Sequence, residues 1–432
     1  MQMIEKIKEY ILCRPVRFHM PGHKGRLSLF RNNAATFDVT ETDETVNIYA
    51  CSEFNKKLFR DTASIFNADM TLFSCSGATL ALQTALMTVA KGKTVLCGEV
   101  HTSISNAFAL CDISPIYYSE ICEDLFIKYS PSAVIMTSED YYGRLYIDEV
   151  KKAAQLCNKY NIPLICDNAH GTHLAFHNDG ELHPVKLGAD IVIDSAHKTL
   201  PVLTGGAFLH LCGRYSEIWN EFMQSMTLFA STSPSYLIAQ SLEYGVEYMQ
   251  KQPEMLDRLL QNVKKVKAEL KKKNCLLYDD LELVTDPYRI TIIAGNAKEI
   301  DSVFKSRHIY SEFTNANHVV LIPSVMNTDA DFNKLIKAIK MIEIMPFEQN
   351  RLEVAEKTTR ILEMSPRKAA FSEHEVVAVR DSIGRITAFS VSAYPPAVPI
   401  VHSGERITAE QIEQISKVCE YVTVINTVSK LN

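Results

Sequence analysis

Several common features are missing from this 432-residue chain, and each absence excludes something. No run of ~18 apolar residues occurs, so no membrane span is predicted. The formal net charge is −6, which argues against a nucleic-acid partner. The lysine-rich stretch that includes Lys264, Lys265, Lys267 and Lys271 to Lys273 reads as the solvated face of a helix. The eleven cysteines are odd in number, scattered, and never spaced CxxC. That excludes a disulfide framework or zinc ribbon and makes a reduced cytosol the simplest setting. The N-terminus, MQMIEKIKEYILC, carries Glu5 and Glu9 inside its apolar pattern and reads as an amphipathic helix over residues 1–13, not a signal peptide. There is no internal repeat and no low-complexity segment. What remains is ordinary for a soluble globular protein, with 47% apolar and 22% charged residues. The length calls for two or three domains.

From Thr71 onward, short apolar runs alternate with helical periodicity. Predicted strands at Thr71–Ser74, Thr94–Cys97, Ala133–Thr137, Pro163–Cys166 and Ala189–Asp194 are separated by helices, among them Leu80–Ala90 and Ile147–Tyr160. Such alternation implies a mainly parallel sheet covered on both faces. Ligands gather at the carboxyl ends of strands in these sheets. His101, Asp167, His170, Ser195, His197 and Lys198 all fall just past predicted strand ends. A second α/β unit follows, with strands at Arg289–Ile293 and Val319–Ile322 and a helix at Phe332–Ile342. Beyond Pro346, a helix at 350–363 precedes strands near Val376–Val379 and Ile386–Val391.

The chemistry centres on Asp194-Ser195-Ala196-His197-Lys198. A lysine where a buried strand runs out is costly unless paired or neutralised. Forming an imine with an aldehyde cofactor is one way to neutralise it. Pyridoxal phosphate (PLP) would need a carboxylate against its ring nitrogen, and Asp167 fits. It would need a plane against the ring, for which His101 is the candidate. It would need an anion cradle. Ser76-Gly77-Ala78-Thr79 opens a helix, where free N–H groups favour anions, and Ser195 and His197 can add to it. His170, His173 and His177 have a spacing that suits a metal, but they lie in a predicted loop, and no metal is expected. In the loop Phe18 to Arg26, four cationic or imidazole side chains could face an anion or form a solvated turn.

The ordered set of these motifs resembles fold-type-I PLP enzymes. More narrowly, it resembles the ornithine/lysine/arginine decarboxylase family in a short form without an N-terminal wing domain. FHMPGHKGR, Asp38-Val39-Thr40-Glu41, Thr232-Ser233-Pro234-Ser235-Tyr236, SPRKAAF (365–371), IGRITA (383–388), YPPAVP (394–399) and SGERIT (403–408) extend the resemblance over nearly the whole chain. It implies an N-terminal arm (1–45), a PLP-binding large domain with a seven-stranded type of sheet (46–248), a small α/β domain (249–345) and a C-terminal α+β domain (346–432).

The resemblance also implies roles. Lys198 would be the Schiff-base lysine, Asp167 would bind the pyridine nitrogen, and His101 would stack on the ring. Ser76, Gly77, Ala78, Thr79, Ser195 and His197 would face the phosphate. His170 would handle protons near the cofactor, and Lys198 or His197 would return a proton to the substrate carbon. Thr232 and Ser233, with Ser231, would complete the phosphate site across the interface of a homodimer or larger homo-oligomer. The implied reaction is decarboxylation of a basic L-amino acid. An aminotransferase or lyase of the same fold, or a cofactor-binding relative without this activity, stays open as the alternative. The family commonly carries Glu where Asn168 stands, and G-S/T-T/S-x-G-N where Gly77–Leu82 reads GATLAL. For the distal cation of the substrate, the carboxylates considered are Glu139, Asp140 and Glu405.

Overall fold

A computed structural model describes residues 10–26, 29, 34–42, 45–347, 359–393 and 397–426. Its largest sheet has eight strands. In chain order these are β2 (Met70–Ser74), β3 (Thr94–Cys97), β4 (Ser114–Tyr118), β5 (Ala133–Thr137), β6 (Leu164–Asp167), β7 (Ile191–Asp194), β8 (Ala207–Leu211) and β14 (Thr359–Ile361). They lie side by side in the order β14-β4-β3-β5-β6-β7-β8-β2. β8 runs against both of its neighbours, and β14 runs against β4. The β4-β3-β5-β6-β7 block is parallel throughout. Strands covered by helices on both faces are buried along their whole length. β2, β6, β7 and β8 are buried at every position.

The sheet exceeds the expected seven strands by one. The eighth, β14, comes from the segment read as a helix over 350–363. Residues 350–358 lie outside the described residues, but 359–361 are extended against the β4 edge. The unpaired edge of β4 offers a ladder of backbone groups, and that pairing overrides local helical periodicity. Likewise residues 1–9 of the expected N-terminal helix, and 394–396 of the YPPAVP motif, lie outside the described residues.

A second sheet, ordered β12-β13-β10-β9, is antiparallel. Its strands are β9 (Leu276–Leu277), β10 (Ile290–Ile293), β12 (Phe313–Thr314) and β13 (His318–Leu321). The helices Glu254–Lys271, Ala297–Ser306 and Asp329–Ile339 belong to the same unit. The first of these exposes Lys264, Lys265 and Lys271, the solvated face that its charge pattern predicts. The N-terminal strand β1 (Val16–Phe18) pairs in parallel with β11 (Ile309–Ser311). One apolar cluster runs from Val16 and Phe18 through the large sheet to Ile342, so arm, large sheet and small sheet share a core.

The segment after 359 keeps a small core of its own: Val379, Val401, Ile407, Ile415, Val422 and Val424. Its strands are His374–Ala378 paired with Tyr421–Ile425, and Val391–Ser392 paired with Pro399–Val401. Ile386 makes only an isolated bridge, to Arg406, where a strand was expected. This segment leans on the large sheet near the carboxyl end of β3. The rings of His402 and Tyr117 stack at 3.9 Å. Thr102 N–H donates to Ala397 O at 2.9 Å, directly after His101.

Candidate active site

The parallel strands of the large sheet all end at one edge, and the residues just past them gather there. β7 stops at Asp194, and a single helical turn, Ala196–Thr199, carries His197 and Lys198. The hairpin expected after β7 therefore begins with a helical turn before β8 returns antiparallel. Lys198 Nζ lies 3.1 Å from His170 Nε2. Burial lowers the lysine pKa, while the carboxylates of Asp167 and Glu312 pull the other way. His170 is held well below its ordinary value by burial and by the charges of Lys198 and Arg289. The neutral imidazole is thus the form that faces Lys198.

Asp167 is the last residue of β6 and is buried. Burial raises its pKa, Lys198 opposes that, and Ala169 N–H donates to Oδ1 at 3.1 Å. His101 caps the helix Thr102–Leu110, its Nδ1 accepting from Ser103 N–H at 3.1 Å. Its pKa falls to about 4, first through burial and then through the charge of Lys198. His101, Asp167, His170 and Lys198 therefore form one electrostatic unit.

The Gly77–Ala90 helix starts beside them. Gly77 N–H donates to Gly205 O at 2.7 Å, and Gly206 O accepts from His197 N–H at 3.1 Å. His197 Nδ1 lies 2.9 Å from the same Gly206 oxygen. The Gly205-Gly206 turn so ties the helix start to the lysine turn. Ser76, the cap residue, makes no side-chain capping bond, and a Cβ on Gly77 would meet nothing within 4 Å. Ala78 is half-buried and Thr79 exposed in the first turn, and Ser195 is buried. Ser231, Thr232 and Ser233 are exposed, ahead of the Tyr236–Lys251 helix.

The PGHK loop docks on this turn. Gly22 N–H donates to His197 O at 2.8 Å. A Cβ on Gly22 would stand 2.4 Å from Leu200 O and 2.6 Å from the Thr199 carbonyl carbon. Lys24 does not face an anion. Its Nζ donates to His19 O at 2.7 Å and to Ile322 O at 2.8 Å, and burial lowers its pKa to about 7. Arg26 pairs with Asp331. The loop therefore clamps the small sheet to the Lys198 turn. Gly22→Ala is expected to cost about 1–3 kcal/mol, the usual range for overpacking against unyielding backbone, measured as a lowered urea midpoint at unchanged m-value.

Three further residues come from parts of the chain that spacing could not connect. Arg289, fully buried at the start of β10, pairs with Glu139 and lies 3.4 Å from His170 Nδ1. Its Nε sits 3.6 Å from Asp286, which in turn meets His173 Nε2 at 3.2 Å. Tyr141 sets its ring edge-on to His170 at 5.0 Å and donates its hydroxyl to Glu312 Oε1 at 2.6 Å. His177 Nδ1 bonds Tyr288 Oη at 2.9 Å, so His170, His173 and His177 face three different partners.

Asn168 faces away from the lysine. Its Nδ2 donates to Asp194 Oδ1 at 2.7 Å, and its Oδ1 accepts from Ser138 Oγ at 2.8 Å. Asp194 also receives His183 Nε2 and His210 Nε2, each 3.1 Å from Oδ2. Where the resemblance places a carboxylate at 168, the amide of Asn168 bridges Asp194 and Ser138.

Comparison with known proteins matches residues 119–315 to the Orn/Lys/Arg decarboxylase major domain and residues 351–430 to the Orn/Lys/Arg decarboxylase C-terminal domain. An arginine decarboxylase of Bacillus subtilis is 27% identical over 454 residues, covering 95% of this chain and 92% of that protein. The crystal structure of a Francisella novicida lysine decarboxylase superposes with a TM-score of 0.74 at 18% identity, over 94% of this chain and 78% of that one. A serine palmitoyltransferase solved with PLP superposes with a TM-score of 0.52 at 14% identity, over 66% and 74% of the two chains. These likenesses establish the fold-type-I architecture.

Proposed function

The chain belongs to the Orn/Lys/Arg decarboxylase family, and from that premise we propose that it binds PLP and converts a basic L-amino acid to its amine and CO2. The carrying observation is the 3.1 Å contact between Lys198 Nζ and His170 Nε2, in a buried site shared with Asp167 and His101. The donor set suits the cofactor: a buried amine, an opposed carboxylate, an imidazole, and an open helix start whose Ser76 hydroxyl makes no capping bond. When bound, PLP supplies an aldehyde for the lysine and a ring that draws in the charge left as CO2 departs.

The protein's share is positioning and proton handling. Lys198 holds the aldehyde, aided by the burial that favours its neutral amine. Asp167 keeps a proton on the ring nitrogen. His101 would hold the ring in place. Ser76, Gly77, Ala78, Thr79, Ser195 and His197 receive the phosphate at the helix N-terminus. His170 Nε2, 3.1 Å away, orients the lysine nitrogen, and Lys198 returns a proton to the substrate carbon. Burial excludes water from the departing carboxylate. Thr232 and Ser233, exposed in the single chain, complete the phosphate site of a second copy in a homodimer. No helix among the described residues is long and apolar enough to cross a membrane, which is compatible with a cytoplasmic setting.

The test is release of CO2 and amine from arginine, lysine and ornithine by the PLP-loaded protein. Stoichiometric CO2 and amine from at least one of them is the expected result. Keto acid in place of CO2 favours transamination and overturns the reading.

A further inference from the structure

The contacts of His170 decide where its proton sits. A neutral imidazole carries one proton, on Nδ1 or on Nε2, and the partner of one nitrogen sets the state of the other. Both ring nitrogens of His170 face a nitrogen. Arg289 Nη1 lies 3.4 Å from Nδ1, and Lys198 Nζ lies 3.1 Å from Nε2. A guanidinium only donates and does not lose its proton in a protein. A lysine nitrogen has two options: the ammonium only donates, whereas the free amine also offers a lone pair. A proton on Nδ1 would point at the donors of Arg289. Nδ1 therefore accepts, and the proton sits on Nε2. There it points at Lys198, which can receive it only as the free amine.

Arg289 is held firmly for this task. It is fully buried, pairs with Glu139, and sets its Nε 3.6 Å from Asp286 Oδ2. Glu139, one of the carboxylates considered for the distal cation of the substrate, is thus committed to the guanidinium. Gly143, at φ +100°, leaves space for the arginine stem: a Cβ there would stand 2.8 Å from Arg289 Cγ. The groups that act electrostatically on His170 are Lys198, Arg289, His101 and His173, and each opposes a second proton on its ring. Those that act on Lys198 are Asp167, Glu312, Arg289 and Glu139, with Arg289 and Glu139 working in opposite senses.

We infer that Arg289 is a positioning residue: by donating to Nδ1 it fixes the His170 proton on Nε2, which donates to Lys198 and holds that nitrogen as a free amine. This rests on the reading of Lys198 as the amine that takes PLP. An arginine from the small sheet so prepares a nucleophile on the large one without touching it.

The direct test is 15N NMR of the PLP-free wild type labelled at histidine, with the His170 signals assigned by their loss in His170→Gln. We expect one proton, on Nε2, at pH 7. A proton on Nδ1, or on both nitrogens, overturns the inference, and this result does not depend on any variant folding. The second arm is the double variant Glu139→Gln/Arg289→Gln. It removes one charge of each sign, so neither is left buried without its partner and their opposed effects on Lys198 go together. An amide at 289 both donates and accepts, so it no longer forces the tautomer. The rate of PLP uptake, followed by absorbance against pH, reads the fraction of free amine. Uptake at pH 7 should slow roughly 3- to 10-fold, the range for one hydrogen bond. The midpoint of the profile should move to higher pH, because the amine loses the donor that favoured it over the ammonium. Slower uptake with an unmoved midpoint means a structural role and overturns the inference. The expected tautomer and midpoint shift in a wild type that releases no CO2 overturn the assignment as a decarboxylase and keep the role of Arg289.

Discussion

Lys198→Ala is expected to abolish release of CO2 and amine while leaving the fold intact. Two functions are lost together: the amine that holds the aldehyde and the proton carrier beside His170 Nε2. Acid–base steps alone contribute about 10²- to 10⁴-fold, so kcat should drop by at least ~10³-fold. Stability should not follow. Burial holds the Lys198 pKa below that of an unfolded lysine, so the folded state pays a penalty for its charge that alanine removes. A urea midpoint equal to or above that of the wild type, together with lost turnover, is the expected pair of results. Lys198→Arg separates the roles further, since a guanidinium keeps the positive charge but cannot deprotonate to act as a nucleophile. Appreciable decarboxylation by either variant would remove Lys198 from the reaction.

The strand–helix alternation made the sheet edge legible in the sequence, because residues just past strand ends share that edge whatever their distance along the chain. Asp167, His101 and Lys198 were identifiable for this reason. Arg289, Tyr141 and Glu312 were not. Arg289 and Glu312 come from the small sheet, and their approach to the lysine depends on how that sheet packs against the large one, which no local period encodes. Tyr141 follows the two acidic residues, Glu139 and Asp140, that drew attention as cation binders. A sequence shows that such groups are charged but not which are already neutralised. The strand at Thr359–Ile361 was missed for a related reason: an open sheet edge decides its conformation, and the edge belongs to another part of the chain.

The FHMPGHKGR loop shows the same limit in reverse. Its density of cationic and imidazole side chains suggested either an anion site or a solvated turn, and the structure commits Lys24 and Arg26 to partners within the protein. Lys24 satisfies backbone carbonyls of both the arm and the small sheet, and Gly22 leaves no room between itself and the residues just after Lys198. The loop positions the Lys198 turn from behind, through backbone contacts that side-chain chemistry cannot announce.

Beneath the site, Asp194→Ala should produce the largest loss of stability of any single change considered. Asp194 is fully buried and accepts from Asn168 Nδ2, His183 Nε2 and His210 Nε2. The carboxylate can only accept, so the neutral His210 ring carries its proton on Nε2, and its Nδ1 accepts from the Thr71 hydroxyl 2.8 Å away. Alanine leaves three donors without an acceptor in a dry interior, at a cost of about 3–5 kcal/mol. Asn168 also loses its anchor one residue from Asp167, so affinity for PLP should weaken with stability. Asp194→Asn keeps the volume and should cost less. The pH dependence identifies the cause. Burial alone would raise the Asp194 pKa, but the donors of His183 and His210 outweigh it and hold the carboxyl below its ordinary value. A group with a depressed folded pKa stabilises fully above its unfolded value, near ~4, and its contribution fades as pH falls through the folded value. His210, lowered chiefly by burial, adds to acid sensitivity from a higher pH, because below about 6.5 the unfolded chain takes up a proton that the folded ring refuses. The gap in unfolding free energy between wild type and Asp194→Ala, measured by urea titration, should therefore be full at pH 7 and narrow as the pH falls below about 4. A gap that is already small at pH 7 would mean that the two imidazoles and Asn168 find other acceptors, and that Asp194 does not hold the floor of the site.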